Sequence, residues 1–350
     1  MAVAEKLIQR SAAVSAPATL PARSDALAAR VYFLLLTALG FAAFALGIRD
    51  RWTPDLFAVA PPVDLLPPFG EQAWYTAFVR HQQDPVFAAC GGVESLAQFK
   101  VLYWWEWLRR GTLLLLGGTF MSGCAFAALL PEYRFALKRL AAIALIGAGY
   151  LAAVLLLGGG QARVEDLARY DVGQYRHALD VTFASVALAL ALSAAFAPLK
   201  PARVSRAGLF YLALIVFEIG VGALFTARDA GAVWRDFPGY EASAFPPLDR
   251  LTAYAPLWLN FTFNQYTIQL VHRLLSLGLL IALVVNLTLS GRRNRSVVML
   301  AAALFALVTA ELAGGIAALW LGASASFAHQ VGAILLLAGA FLAFAAPRTR

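Results

Sequence analysis

The sequence predicts an all-α integral membrane protein, with eight transmembrane helices forming two pseudo-symmetric four-helix bundles. Three observations carry this expectation. The 350 residues are 61% hydrophobic and 14% charged, with a mean hydropathy of +0.71; soluble domains are about half apolar and a quarter charged. About eight apolar runs reach the roughly 20 residues that a helix needs to cross a bilayer. Basic residues gather at every second connection between those runs.

The runs lie near 30–48, 108–130, 136–157, 179–198, 207–227, 267–289, 297–321 and 327–346. Helix is the expected element because it satisfies its own backbone in lipid, and the Ala/Leu/Gly-rich composition favours close helix packing over barrel strands. Residues 1–29 are Ala-rich with scattered charges and read as a cytoplasmic tail, with no cleaved signal peptide. Lys6, Arg10, Arg23 and Arg30 precede the first run; Arg134, Lys138 and Arg139 follow the second. Lys200, Arg203 and Arg206 follow the fourth, Arg292, Arg293 and Arg295 the sixth, and Arg348 and Arg350 end the chain. Positive residues stay on the cytoplasmic side, so both termini are expected there, in a multi-pass protein of the bacterial inner (cytoplasmic) membrane. The net charge of +8 is therefore topological, and lipid rather than nucleic acid is the expected partner. The connections 49–107, 158–178, 228–266 and the turn near Gly322 face outward; the first and third are rich in Pro and aromatics, as caps over a bundle.

The chain repeats itself. QFKVLYWWEWLRRGTLLLL opens the second run and NQYTIQLVHRLLSLGLL the sixth; alignment on the basic pair sets Arg109-Arg110 on His272-Arg273 and Glu106 on Gln269. YRHALDVTFASVALAL opens the fourth run and SASFAHQVGAILLL the eighth, setting Asp180 against His329. Two halves follow, 30–201 and 202–346, and the four positions lie at similar depth below the outer face.

The chain has four histidines, His81, His177, His272 and His329. His272 and His329 sit a few residues inside helices that run in the same direction. Two neutral imidazoles facing each other inside a bundle suit axial ligation of a haem iron; the plain alternative is that each is a lone polar residue satisfied by a neighbouring helix. Arg273 either meets a haem propionate or snorkels to the interface. His81 reads as a solvated loop residue. Cys90 lies in the first outer connection and Cys124 deep in the second run, too far apart in depth for a disulfide.

Several segments resemble the haem A synthase family (CtaA type). LWLNFTFNQYTIQLVHRLLSLGLL, Leu257 to Leu280, resembles its N-x-x-x-N-x-x-x-x-Q-x-x-H-R segment. AHQVGAILLL, from Ala328, is similar to its last-helix His-Gln motif, and FKVLYWWEWLRR, from Phe99, to its F-K-x-I-F/Y-W-W-E-W-x-H-R signature. ALFTARDAG and Asp236 to Pro238 match an outer-loop motif imperfectly. The resemblance covers about 30–346 and implies oxidation of the C8 methyl of haem O to the formyl group of haem A, for cytochrome oxidase biogenesis. It implies a haem b between His272 and His329 in the C-terminal half. In the N-terminal half it implies a substrate haem O between two histidines, with a catalytic glutamate matching Glu106. Haem O synthase, oxidase assembly factors and a second copy of the chain are the protein partners it suggests.

Here the N-terminal ligand positions hold Arg109 and Asp180. Arg has no lone pair for iron, and the expectation is an ion pair between the two across the space an iron would take. His177, one turn outward of Asp180, is an alternative ligand or a plain interfacial histidine. Trp104, Trp105 and Trp107 read as an interfacial belt, and Glu106 and Arg110 as an i,i+4 pair. Glu218 and Glu311 lie mid-run at similar depth: either a proton route or interhelical hydrogen bonds, with Gly220, Gly222, Gly314 and Gly315 as close-packing positions. Three functions stay open at this level. One is a haem A synthase-like oxidoreductase using Glu106. Another is a non-catalytic paralogue keeping the C-terminal haem for haem handling, oxidase assembly or electron transfer. The third, a transporter, does not require paired histidines.

Overall fold

The computed structural model describes residues 23–47, 63–84, 95–156, 170–196, 204, 206–240, 243, 245–289 and 295–345. Cys90 and the first 22 residues lie outside the described residues. The long helices are α1 (Arg23–Gly47), α3 (Leu96–Leu129), α4 (Arg134–Leu156), α5 (Tyr170–Phe196), α6 (Arg206–Ala227), α7 (Gln265–Leu289), α8 (Arg295–Leu321) and α9 (Ala323–Ala345). A shorter helix, α2 (Glu71–Gln82), lies in the first outer connection. Among the described residues, eight helices are long and apolar enough to cross a membrane, and they are the eight long ones. The fold is all-helical and membrane-spanning.

Two boundaries differ from the expectation. Helix α1 begins at Arg23, so the end of the expected tail is already helical. Helix α3 begins at Leu96, well before the apolar run, so WWEWLRR lies inside a helix rather than at its start. The cause is local: Ser95 accepts from the Gln98 backbone N–H while the Gln98 side chain reaches back to the Ser95 N–H, a reciprocal cap.

The helices pack as two rings. In the first, α1 touches α3, α3 touches α4, α4 touches α5, and α5 returns to α1. In the second, α6, α7, α8 and α9 close in the same order. Helix α5 packs against α6 and α9 and joins the rings. The diagonal pairs, α3 with α5 and α7 with α9, thus face one another across their rings. Small residues permit the close approaches. At Gly123 of α3 any Cβ would enter the Tyr32 ring of α1, whose hydroxyl donates to the Thr119 carbonyl at 3.1 Å. Gly322 takes a left-handed φ of 77° in the turn between α8 and α9, a conformation that costs glycine little.

Two of the basic residues at helix ends also act locally. Arg30 of α1 donates to the Ala195 carbonyl at 3.2 Å, and Arg139 of α4 to the Ala194 carbonyl at 2.6 Å. Both groups meet the last turn of α5, where helix carbonyls lack partners and a positive charge is favoured.

The described part of the connection before α3 is packed. Helix α2 lies on α3 through Phe78, Phe99, Leu102 and Tyr103. His81, expected as a solvated loop residue, is fully buried on α2 with its ring 5.4 Å from Phe99. The period of α2 turns it inward beside Phe78 and against α3. Burial holds its imidazole below the usual range, with Asp84 pulling weakly the other way. A folded pKa below the unfolded one gives stability that is complete above about pH 6.5 and declines as pH falls through that value. Hydrogen-exchange protection in Glu71–Gln82, taken relative to the intrinsic exchange rate at each pH, should therefore fall between pH 7.5 and 5.5, and the His81→Leu variant should lose that pH dependence.

Candidate functional site

The C-terminal ring holds the site. His272 on α7 and His329 on α9 are diagonal partners, and their ring centroids lie 6.3 Å apart at an interplanar angle of 74°. They line a cavity of about 450 Å³ between the helices, within the usual range for ligand sites. Among the described residues, neither Nε2 has a hydrogen-bond partner. Each Nδ1, in contrast, is met by an acid from the preceding helix of the ring. Glu218 Oε1 of α6 lies 3.0 Å from His272 Nδ1, and Glu311 Oε2 of α8 lies 3.0 Å from His329 Nδ1. Both contacts are close, but neither Nδ1 meets its carboxylate in hydrogen-bond geometry. Ser276, one turn after His272, donates its hydroxyl to Glu218 Oε1.

Glycines make room for the imidazoles. A Cβ on Gly222 would stand 3.2 Å from His272 Cε1, and one on Gly315 would stand 3.2 Å from His329 Cε1. The local sequences correspond: Glu218-x-x-x-Gly222 on α6 and Glu311-x-x-x-Gly315 on α8. In each, the acid and the gap lie one helical turn apart and serve one ring. On sequence alone these acids and glycines read as separate features; their shared E-x-x-x-G spacing is the signal that could have linked them.

Several polar residues of the Asn260-to-Arg273 segment hold the cap formed by the connection before α7. Asn260, 1% exposed, donates to the Tyr254 and Leu257 carbonyls at 2.8 and 3.0 Å and accepts from the Tyr254 N–H. Asn264 donates to the Arg250 carbonyl at 2.7 Å and to Asn260 Oδ1 at 2.9 Å. Gln269 donates to the Trp234 carbonyl at 2.7 Å. Arg273 donates to the same carbonyl at 3.1 Å and to that of Gly239 at 3.0 Å, with its guanidinium over the Tyr240 ring at 4.9 Å. Arg273 is thus a clamp on the outer cap as well as a residue lining the cavity.

The N-terminal ring has the same frame and different chemistry. Glu106 of α3 is fully buried, and two guanidiniums grip it. Arg109 binds both carboxylate oxygens at 2.8 and 2.7 Å, and Arg110 binds Oε1 at 2.7 Å. The expected Glu106–Arg110 pair is present, with Arg109 added to it. The expected Arg109–Asp180 ion pair is not found among the described contacts: Asp180 of α5 instead accepts from the Tyr150 hydroxyl of α4 at 2.9 Å. The physical reason is proximity, since Glu106 lies one turn from Arg109 on the same helix, whereas Asp180 lies across the ring. His177 turns towards the second ring, with its Nε2 3.3 Å from Thr226 Oγ1 of α6. Trp107 donates to the Leu65 carbonyl at 3.0 Å, whereas Trp104 and Trp105 are exposed.

Comparison with known proteins agrees with this architecture. The family model for COX15-CtaA, cytochrome oxidase assembly protein, matches residues 60–341. The chain is 31% identical to heme A synthase of Azorhizobium caulinodans over 90% of its own length and 93% of that protein. It is 32% identical to heme A synthase of Beijerinckia indica over 86% of this chain and 88% of that one, and 30% identical to that of a Chelativorans species over 93% and 92%.

The grip on Glu106 is open to test. Arg109→Leu or Arg110→Leu alone leaves one guanidinium on the carboxylate. Both together strand a buried charge and should destabilise the protein by about 3–5 kcal/mol, more than the sum of the singles. Thermal unfolding in detergent would show this, and adding Glu106→Leu should restore most of the loss. Match length, identity and helical architecture agree: the chain belongs to the COX15-CtaA family of cytochrome oxidase assembly proteins.

Proposed function

We propose that this protein acts as a haem A synthase-like oxidoreductase in cytochrome oxidase biogenesis, converting the C8 methyl of haem O to the formyl group of haem A. It would do so in the bacterial cytoplasmic membrane with both termini inside. The basic residues at alternate connections support that orientation, and haem O synthase and oxidase assembly factors are the neighbours the reaction would need.

The observation that carries the proposal is the His272–His329 pair. Their ring centroids stand 6.3 Å apart on facing helices, close enough that both imidazoles could hold one metal, since a ring nitrogen ligates at about 2 Å. Among the described residues neither Nε2 has a hydrogen-bond partner, and a carboxylate stands at each Nδ1, which leaves Nε2 as the nitrogen that would ligate. The residues therefore fit a haem b, which would supply one-electron transfer between the substrate half and an external carrier. Around it, the protein orients and insulates: Gly222 and Gly315 set the rings, and Arg273 and Gln269 hold the cap over the cavity.

The N-terminal half does not offer two imidazoles for a substrate haem O. At the matching positions stand Arg109 and Asp180, the first bound to Glu106 and the second to Tyr150. Glu106 is held as a fixed anion beside the ring space, where it would position a substrate through Arg109. This clamp favours a second reading, in which the protein keeps the C-terminal haem for haem handling or oxidase assembly without oxidising the methyl group.

Purified protein should show a low-spin bis-imidazole haem spectrum that His272→Ala or His329→Ala abolishes. On co-expression with a haem O source, haem A should appear in pigment extracts. Extracts holding haem O only, from protein whose His272-dependent spectrum is intact, would decide for the second reading.

A further inference from the structure

We propose that Glu218 and Glu311 set the reduction potential of the haem, acting through the Nδ1 atoms of its two ligands. The inference rests on the His272–His329 haem site proposed above. It adds two positioning residues whose effect is electrostatic.

The arrangement is built twice. Each acid comes from the helix preceding its histidine in the ring, stands one turn before the glycine that admits that imidazole, and lies 3.0 Å from Nδ1. The carboxylates are 12% and 17% exposed, so their fields are poorly screened by water. The two copies secure their acids differently. On α7 the residue one turn beyond the histidine is Ser276, whose hydroxyl binds Glu218. On α9 the corresponding turn carries Gly332, where any Cβ would run into the Glu311 carboxylate. One acid is held by a donor and the other by a space left for it.

The consequence follows from ligand chemistry. A carboxylate 3.0 Å from the outer nitrogen of a ligating imidazole places negative charge beside the ligand. Electron-rich ligands and nearby negative charge favour the ferric over the ferrous state, and outer hydrogen bonding and local charge are recognised levers on haem potential. Two acids acting on two ligands should act in the same direction. A merely structural role predicts something else. Glutamine preserves the volume and one acceptor oxygen, so it should then leave the potential alone.

The test is an optical redox titration at fixed pH of detergent-purified haem-loaded protein: wild type, Glu218→Gln, Glu311→Gln and the double variant. Haem content and the low-spin spectrum should be retained. The midpoint should rise in each single variant. In the double variant the ferrous-to-ferric equilibrium should move about tenfold, which is 59 mV for a one-electron couple. Glu132→Gln, a charge removed outside the site, should leave the midpoint in place. Retained haem with an unmoved midpoint overturns the inference and leaves the histidine site standing. Loss of haem from the glutamine variants also overturns it, because the acids would then serve to hold the ligands only. Wild-type protein without a His272-dependent haem overturns both the inference and the reading it rests on.

Discussion

An imidazole inside an apolar helix bundle needs a partner for its polar nitrogens, because no water is there to supply one. The C-terminal ring meets that demand twice by one device. The preceding helix offers a glutamate to Nδ1 and, one turn on, a glycine that gives the ring its place. With a carboxylate 3.0 Å from each Nδ1, each Nε2 is left without a hydrogen-bond partner among the described residues.

The N-terminal ring shows what the same frame does with other side chains. The diagonal pair α3 and α5 carries a guanidinium and a carboxylate where α7 and α9 carry imidazoles. Charges of opposite sign on facing helices would seem made for each other, yet each is satisfied nearer home: Arg109 one turn away on Glu106, Asp180 on the neighbouring helix through Tyr150. Buried Glu106 requires this, since a carboxylate in that setting is tolerable only when paired. In the repeat its counterpart is neutral Gln269, which needs no cation and so leaves Arg273 to reach the cap carbonyls. One change of charge between the copies thus redirects the adjacent arginines.

Hydropathy made the membrane class and the eight spans legible, because the lipid imposes the same length and apolarity on every span. Helix starts were less so. Lys100, Glu106, Arg109 and Arg110 lower the hydropathy of the first turns of α3 without interrupting its backbone, and Ser95 with Gln98 was the better marker. The depth-matched His272 and His329 could be read from the repeat, and the structure places them together. The roles of Glu218 and Glu311 could not be read in the same way, since each acid and its histidine lie on different helices; only the shared E-x-x-x-G spacing hinted at a common purpose. His81 was misread because one polar helix, α2, is amphipathic over too short a length to stand out, although its inner face packs Phe78 and His81 on Phe99.

The most direct test of the account is an electron cryomicroscopy map of the protein purified from its native membrane in nanodiscs. The account predicts a flat macrocycle with central metal density between His272 and His329, contacted by both rings. A cavity filled by lipid or side chains, or a macrocycle bound elsewhere with those two rings uninvolved, would contradict it.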